Sequence, residues 1–360
     1  MTILYLVVGI GVLILVHEFG HFWVARRVGV TVERFSIGFG PKIFGFKQGG
    51  TDFWIAPIPL GGYVKLKGED PEEAKASEEP DSFRNKSVTR RAAIIVAGVV
   101  MNFLLAFVLM PVVFMMGQKI PEFLTKAPVV EAVMPDTPAS RAGLASGDRV
   151  LKINGESVAH WEAMITRVQE SAGFSLVFTL QRGEEIFERT LVPEYSRDNE
   201  RWLIGVQMPA STVPILKKYP FTEAVKAGFE ENIRLIGMTF GMVKKLVTLQ
   251  ASYKAVGGPV QIASYLAKAA ASGMADFLYF IAFLSINLAV LNILPFPLLD
   301  GGHLMFLAIE GIRRKPVSLK VQLIAQQIGL VLLLTFVALV TIQDVNRLWN
   351  ISEWIRKVWP

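Results

Sequence analysis

The chain has 360 residues, 52% of them hydrophobic and only 19% charged, and its mean hydropathy of +0.43 lies outside the balance of soluble globular domains. It contains no cysteine, which excludes disulfides and thiolate metal sites, so any zinc must be held by His, Asp or Glu. The net charge of +6 does not point to nucleic acid, because the basic residues cluster beside apolar segments and read as topology signals, not as a phosphate-binding surface.

Four segments are apolar over the length of about 20 residues that a bilayer crossing needs. The first runs from about Ile3 to Ala25. No Lys or Arg precedes it and no small-residue cleavage site follows, so it reads as a retained span and not as a signal peptide. It contains the tract HEFGH, with His17, Glu18 and His21. Histidines four residues apart on a helix project from one face and reach a single metal ion, and Glu18 stands beside the first, where a carboxylate takes a proton from the activated water. The alternative is a set of polar groups paired inside a bundle. Two of the chain's four histidines and a glutamate at hydrocarbon depth are costly to keep without a use.

The loop that follows reads SIGFGP over Ser36–Pro41 and PIPLGGYVKL over Pro57–Leu66, with Phe44, Phe46, Phe53, Trp54 and Ile55 between them. Glycines, aromatics and β-branched residues with turn signals predict short strands and hairpins lying against or dipping into the bilayer, the alternative being a small soluble β-hairpin domain. Gly68 to Pro80 is rich in Glu, Asp, Lys, Ala and Pro and is expected to be a mobile linker. The second span covers about Ala92 to Met116.

From Gly117 to Tyr219 the text predicts one compact domain. Candidate strands are Val129–Val133, Arg149–Ile153, Ser175–Gln181, Ile186–Leu191 and Leu203–Gln207, with candidate helices at Thr137–Leu144 and Trp161–Ser171. Pro135 to Val158, PDTPASRAGLASGDRVLKINGESV, resembles the bacterial PDZ domain, with a helix ending at Gly143, a turn at Gly147-Asp148 and a hairpin at Asn154-Gly155. Domains of that kind take extended peptide ends by strand addition, and Leu203, Ile204, Gly205 and Val206 are candidates for a carboxylate-binding loop and its strand; a cap without a peptide ligand is the alternative. His160 is expected at the surface.

Phe221 to Gln250 has helical amphipathic spacing, with Phe229, Ile233, Ile236, Phe240, Val243 and Val247 on one side and Lys226, Glu230, Arg234 and Lys244 on another. It is expected on the outer membrane surface or under the outer domain. A shorter helix, Val260 to Ala271, follows Gly257-Gly258-Pro259. The third span, about Phe277 to Leu294, carries Asn287 and Asn292 and runs into NILPFPLLDGG. Pro295 and Pro297 prevent a regular helix there, so freed backbone groups must line a cavity or a partner. Asp300 follows directly and completes, with His17 and His21, the three protein ligands of a catalytic zinc that keeps one position open for water. His303 as a fourth ligand would close that position, so a hydrogen-bonded role is expected for it instead. The fourth span is about Leu323 to Ile342.

Arg26, Arg27, Arg34, Arg84, Lys86, Arg90 and Arg91 lie between spans one and two, and Arg313, Arg314, Lys315 and Lys320 between three and four. Positive residues stay cytoplasmic, which places both termini and residues 117–219 outside and HEFGH toward the cytosolic face. The expected fold is a polytopic α-helical membrane protein with four transmembrane helices, a membrane-associated β-hairpin region and one extracytoplasmic α+β PDZ domain. The expected divisions are 1–116, 117–219, 220–275 and 276–360.

HEFGH on a first span, a PDZ domain between spans two and three, and NILPFPLLDGG after the third together resemble the site-2 protease family of intramembrane zinc metalloproteases, in its RseP-like (regulator of sigma-E protease) branch, over nearly the whole chain. The resemblance implies Zn2+ on His17, His21 and Asp300, Glu18 as catalytic base, and Asn292 holding substrate backbone, with Asn102, Pro295 and Pro297 also at the substrate site. Gly98 and Asn102 match a Gly-x-x-x-Asn pattern that lines the site, and the loop from Ser36 to Leu66 matches a membrane-associated hairpin that pairs with extended substrate. The sequence departs from tandem-PDZ members in having one such domain, which puts size filtering by a tandem in doubt. Implied partners are single-pass membrane proteins of the anti-sigma-factor type, often already truncated, signal peptide remnants, peptide carboxyl termini at the PDZ domain, and membrane lipid, in a bacterial inner membrane. Two other function classes remain at this stage, a catalytically silent PDZ scaffold, which an intact Glu18 opposes, and a metal-ion transporter, which an open three-ligand set does not suit.

Overall fold

The computed structural model describes residues 2–69, 79–196, 201–209, 214–252 and 256–349; residues 70–78 of the expected linker lie outside them. Two compact units form, Met1–Met116 with Lys218–Pro360, and Gly117–Lys217. In chain order the first unit opens with helix α1 (Thr2–Arg27), strands β1 (Val32–Phe39), β2 (Phe44–Gln48), β3 (Thr51–Ile55) and β4 (Ile58–Leu66), and helix α2 (Val88–Met116).

The strands form one sheet in the order β2-β3-β1-β4. β2 and β3 make a hairpin closed by Gly49 and Gly50, both at positive φ, as a two-residue turn of right-handed twist requires. β3 then runs parallel to β1, pairing Phe35 with Phe53, while β4 returns antiparallel to β1. Phe22 of α1 packs edge-on against Phe35 and Phe53, and Ala25, Val30, Val32, Leu66 and Ile94 are buried with it, so one face of the sheet is fixed to α1 and α2. Ile43, Phe44, Phe46, Ile55 and Ile58 remain exposed.

The second unit contains β5 (Gln118–Pro121), β6 (Ala132–Val133), α3 (Pro138–Arg141), β7 (Arg149–Ile153), β8 (Glu156–Ser157), α4 (Trp161–Glu170), β9 (Leu176–Arg182), β10 (Glu185–Leu191), β11 (Glu194–Ser196), β12 (Arg201–Leu203), β13 (Val206–Gln207) and β14 (Pro214–Lys217). β10-β9-β7-β8 is its main sheet, β13 pairs with β6, and β5 with β14 where the chain enters and leaves. Trp161, Phe178, Leu180, Ile153 and Leu191 fill the core. The expected helix Thr137–Leu144 is shortened to α3, because Thr137 is its cap, accepting from the Ser140 N–H, and Gly143 turns the chain. The expected strand Leu203–Gln207 is broken at Ile204 and Gly205, whose carbonyls accept from the Ala139 and Met134 N–H groups and whose glycine adopts φ +84°.

Asp148 ties this unit together. Its side chain is fully buried and accepts from Arg182 Nε at 2.7 Å, Arg182 Nη2 at 2.8 Å and the Ala145 N–H at 2.9 Å. Burial alone pushes the carboxyl up, but Arg182 and the Ala145 N–H outweigh it and hold Asp148 below the usual carboxylate range. A depressed carboxylate contributes stability that is present above its unfolded pKa and lost as pH falls through the folded value. Asp148→Asn is therefore expected to destabilise this unit at neutral pH by about 2 kcal/mol and to flatten its acid-side stability profile, measured by thermal melts between neutral and strongly acidic pH. A variant melting like the parent at neutral pH would remove the clamp.

The first unit resumes with α5 (Phe221–Val247), α6 (Pro259–Ser272), α7 (Met274–Ile293), α8 (Asp300–Arg313) and α9 (Leu319–Trp349). Among the described residues four helices are long and apolar enough to span a membrane: Val7–Arg27, Val88–Met116, Met274–Ile293 and Leu319–Asn346. α5 packs on α2 and α7 through its small and polar positions. Its apolar positions Phe229, Ile233, Phe240 and Val247 are exposed, and its buried face is Ala224, Gly228, Asn232, Leu235 and Thr239, packed on α2 and α7. A Cβ on Gly228 would stand 2.7 Å from Pro111 N of α2, Asn232 Nδ2 donates to the Ala106 carbonyl at 3.3 Å, and the Thr239 hydroxyl reaches Asn287 Oδ1 at 3.3 Å. The sorting follows membrane rules: where the alternative neighbour is lipid, small and polar residues mark helix contacts and large apolar ones face outward. α9 is largely exposed and is tied to α6 by Asp344, which accepts from the N–H groups of Gly258 at 3.1 Å and Gln261 at 2.9 Å.

Candidate metal centre and active site

Helical spacing on α1 turns His17 and His21 to the same side, and their Nε2 atoms lie 3.2 Å apart. Asp300 comes to them from α8, with Oδ2 3.2 Å from His17 Nε2 and Oδ1 3.7 Å from His21 Nε2. One ligand atom from each of the three lies within 4.8 Å of the others, the only such His/Cys/Asp/Glu group among the described residues. The NILPFPLLDGG tract explains how Asp300 gets there. α7 stops at Ile293, Pro295 and Pro297 prevent its continuation, and α8 begins at Asp300. A Cβ on Gly301 would stand 2.1 Å from the Leu294 carbonyl oxygen, and one on Gly302 2.2 Å from that of Phe296. Only glycines let the first turn of α8 tuck under the end of α7 and present Asp300. Pro295 is exposed and Pro297 half-buried.

α2 closes the other side. A Cβ on Gly98 would lie 2.3 Å from His21 Nε2 and 2.8 Å from His17 Cε1, so any side chain there would collide with both imidazoles. One helical turn on, Asn102 is fully buried with Nδ2 3.2 Å from His17 Nδ1, and Asn292 of α7 is buried with Nδ2 3.4 Å from His17 Nε2. His21 Nδ1 donates to the Ile94 carbonyl at 2.8 Å. The residues fit a divalent cation: three converging donors are present, and Asp300 Oδ2 is buried without a hydrogen-bond partner.

Glu18 lies under β4. A Cβ on Gly62 would stand 3.3 Å from Glu18 Cγ, and the Val64 backbone hydrogen-bonds toward its carboxylate. These contacts, and the tie between Arg91 and Glu310 that joins α2 to α8, were not evident from the sequence; the GlyGly pair in PLGGY was the available signal for the first. A cavity of about 760 Å³ opens from His17, Glu18, His21 and Asp300 past Tyr63 and Arg91. His303 lines it without joining the ligand group, and His160 is remote in role, its Nδ1 capping α4 by accepting from the Ala163 N–H at 3.2 Å.

The sequence matches Peptidase family M50 over residues 5–336. The chain belongs to that family. It is 33% identical to the regulator of sigma-E protease RseP of Escherichia coli over 440 positions, covering 95% of this chain and 98% of that protein. A candidate zinc metalloprotease of Clostridium acetobutylicum is 36% identical, covering 94% and 96%, and one of Nostoc is 35% identical, covering 99% and 100%. The E. coli alignment is longer than this 360-residue chain, so that relative contains a stretch absent here. Among solved structures, the PDZ domain of an SdrC-like protein of Listeria monocytogenes is similar to 23% of the chain, at 18% identity and a TM-score of 0.21. By its family and its relatives this M50 peptidase is an intramembrane zinc metalloprotease, and the transporter and silent-scaffold alternatives fall away.

Proposed function

We propose that the enzyme cleaves single-pass membrane proteins in or near their transmembrane segments, with His17, His21 and Asp300 as zinc ligands and Glu18 as the base. The observation that carries this reading is the meeting of that ligand group and Glu18 with an edge strand: β4 pairs only with β1 in its sheet and passes directly over Glu18. A transmembrane helix hides its carbonyls in its own hydrogen bonds, so a substrate must be locally extended before attack. Strand addition to the free side of β4 holds it so. The exposed Ile43, Phe44, Phe46, Ile55 and Ile58 suit the sheet to contact with lipid.

Zinc held by the three ligands would supply Lewis-acid polarisation of the peptide carbonyl and acidify the attacking water. Glu18 takes the proton from that water and delivers it to the leaving amine. Asn292, with its amide NH2 toward the centre, holds the substrate backbone, and Pro295 and Pro297 keep the chain beside it non-helical so that it borders the substrate path. The cavity past Arg91 admits water.

The Lys and Arg distribution supports a bacterial inner-membrane protein with the termini and the PDZ unit outside and the centre toward the cytosol. Substrates of the anti-sigma-factor type, trimmed by an earlier cut, or remnant signal peptides fit this topology, and a carboxyl terminus exposed by that cut is the natural PDZ ligand. Replacing residues 127–208 by a flexible linker is expected to preserve cleavage of a short helical test substrate while bringing the rates for substrates with large and small outer domains toward equality. Cleavage of such a matched pair by full-length and deleted enzyme in proteoliposomes measures this. Unchanged size preference in a well-folded deletion variant, or equal loss toward both substrates, would rule out gating by the domain.

A further inference from the structure

The Nε2 atoms of both histidines converge on the metal position, so each Nδ1 must carry the proton and needs an acceptor. His21 has one, the Ile94 carbonyl at 2.8 Å. His17 Nδ1 instead faces a nitrogen, Asn102 Nδ2, at 3.2 Å, while Asn102 Oδ1 is buried with no partner at all. A donor pointed at a protonated nitrogen and an orphaned buried oxygen on the same amide are two faults with one remedy. A half-turn about Cβ–Cγ exchanges the amide oxygen and nitrogen, which are distinguished only by their hydrogen bonds. It places Oδ1 where Nδ2 stood, within hydrogen-bond reach of His17 Nδ1.

We propose that Asn102 is a positioning residue whose amide oxygen accepts from His17 Nδ1–H and thereby commits His17 Nε2 to the metal. The amide is held in register independently of this bond, because the Asn102 backbone carbonyl accepts from the Ser285 hydroxyl at 2.8 Å, pinning α2 to α7 at the same level. The role differs from contact with substrate: Asn102 is fully buried between α2 and the imidazole. The Gly98 carbonyl, a turn earlier on α2, is another acceptor near His17. The inference rests on His17 being a zinc ligand, as proposed above.

The test is zinc affinity of the purified full chain in detergent, measured by chelator competition, beside the melting temperature of the zinc-free protein. Asn102→Leu, similar in size but without an acceptor, is expected to weaken zinc binding by roughly 10- to 100-fold with the zinc-free melt retained. Asn102→Asp, which restores an acceptor, is expected to recover most of that loss. Asn102→Ala replaces the leucine variant if the latter does not fold. Parental affinity in the acceptor-less variant would overturn the proposal and give the role to the Gly98 carbonyl, and so would an aspartate variant as weak as the leucine one. His17→Ala separates this failure from that of the ligand assignment, since retention of tight zinc there would remove His17 as a ligand.

Discussion

Glu18→Gln is expected to leave zinc content, fold and substrate binding intact while lowering the cleavage rate by about 10²- to 10⁴-fold, the usual contribution of a positioned general base. Glutamine keeps the length and shape that fit beneath Gly62, where the strand leaves no slack, but its amide does not accept a proton. Three measurements check this: metal content of the purified variant, cleavage of a transmembrane substrate in proteoliposomes, and capture of uncut substrate with the enzyme. Comparing membrane proteomes from cells with the intact enzyme and with Glu18→Gln would then display the substrates as proteins that persist only in the variant. Parental turnover by Glu18→Gln would remove this residue as the base.

Asp300→Ala is expected to lose stoichiometric zinc and, with it, all activity. Two imidazoles on one helix leave the ion with a single protein element and one donor too few for a catalytic site. As a ligand, Asp300 would join α8 to α1 through the metal, so zinc should raise the melting temperature of the parent and not of this variant. His303 lines the same cavity, three residues beyond Asp300 on α8, and is the alternative ligand to test. If Asp300→Ala held zinc tightly and Asp300→Ala combined with His303→Ala did not, the third ligand would be His303 and the assignment of Asp300 would fail.

Much of the centre was legible in the sequence because it is written in local spacing. His17 and His21 are one helical turn apart, and Asp300 follows a proline pair that cannot be helical, so both half-sites announce themselves without knowledge of the fold. The spans were legible for the same reason, a run of apolar residues against a fixed bilayer thickness. What escaped depends on which surface meets lipid and which meets protein. In α5 the amphipathic pattern was clear, but the small and polar positions Gly228, Asn232 and Thr239 that pack on neighbouring helices are not marked by hydrophobic periodicity. The parallel pairing of β1 with β3 could not be read from strand-like text, since register is a property of two segments, and the partner of His17 Nδ1 on α2 lies 85 residues away.

The proposed ligands of the metal centre stand far apart in the chain, at positions 17, 21 and 300. At ordinary synthesis rates of about 5–20 residues per second, roughly 15 to 60 seconds separate the emergence of the first two from that of the third. Throughout that interval α1 already lies in the membrane beside other newly made helices, yet it carries only two imidazoles and a carboxylate. With the proposed ligand set, the nascent chain would lack its third metal ligand until α8 has been made, so the proposed site could not be complete before then.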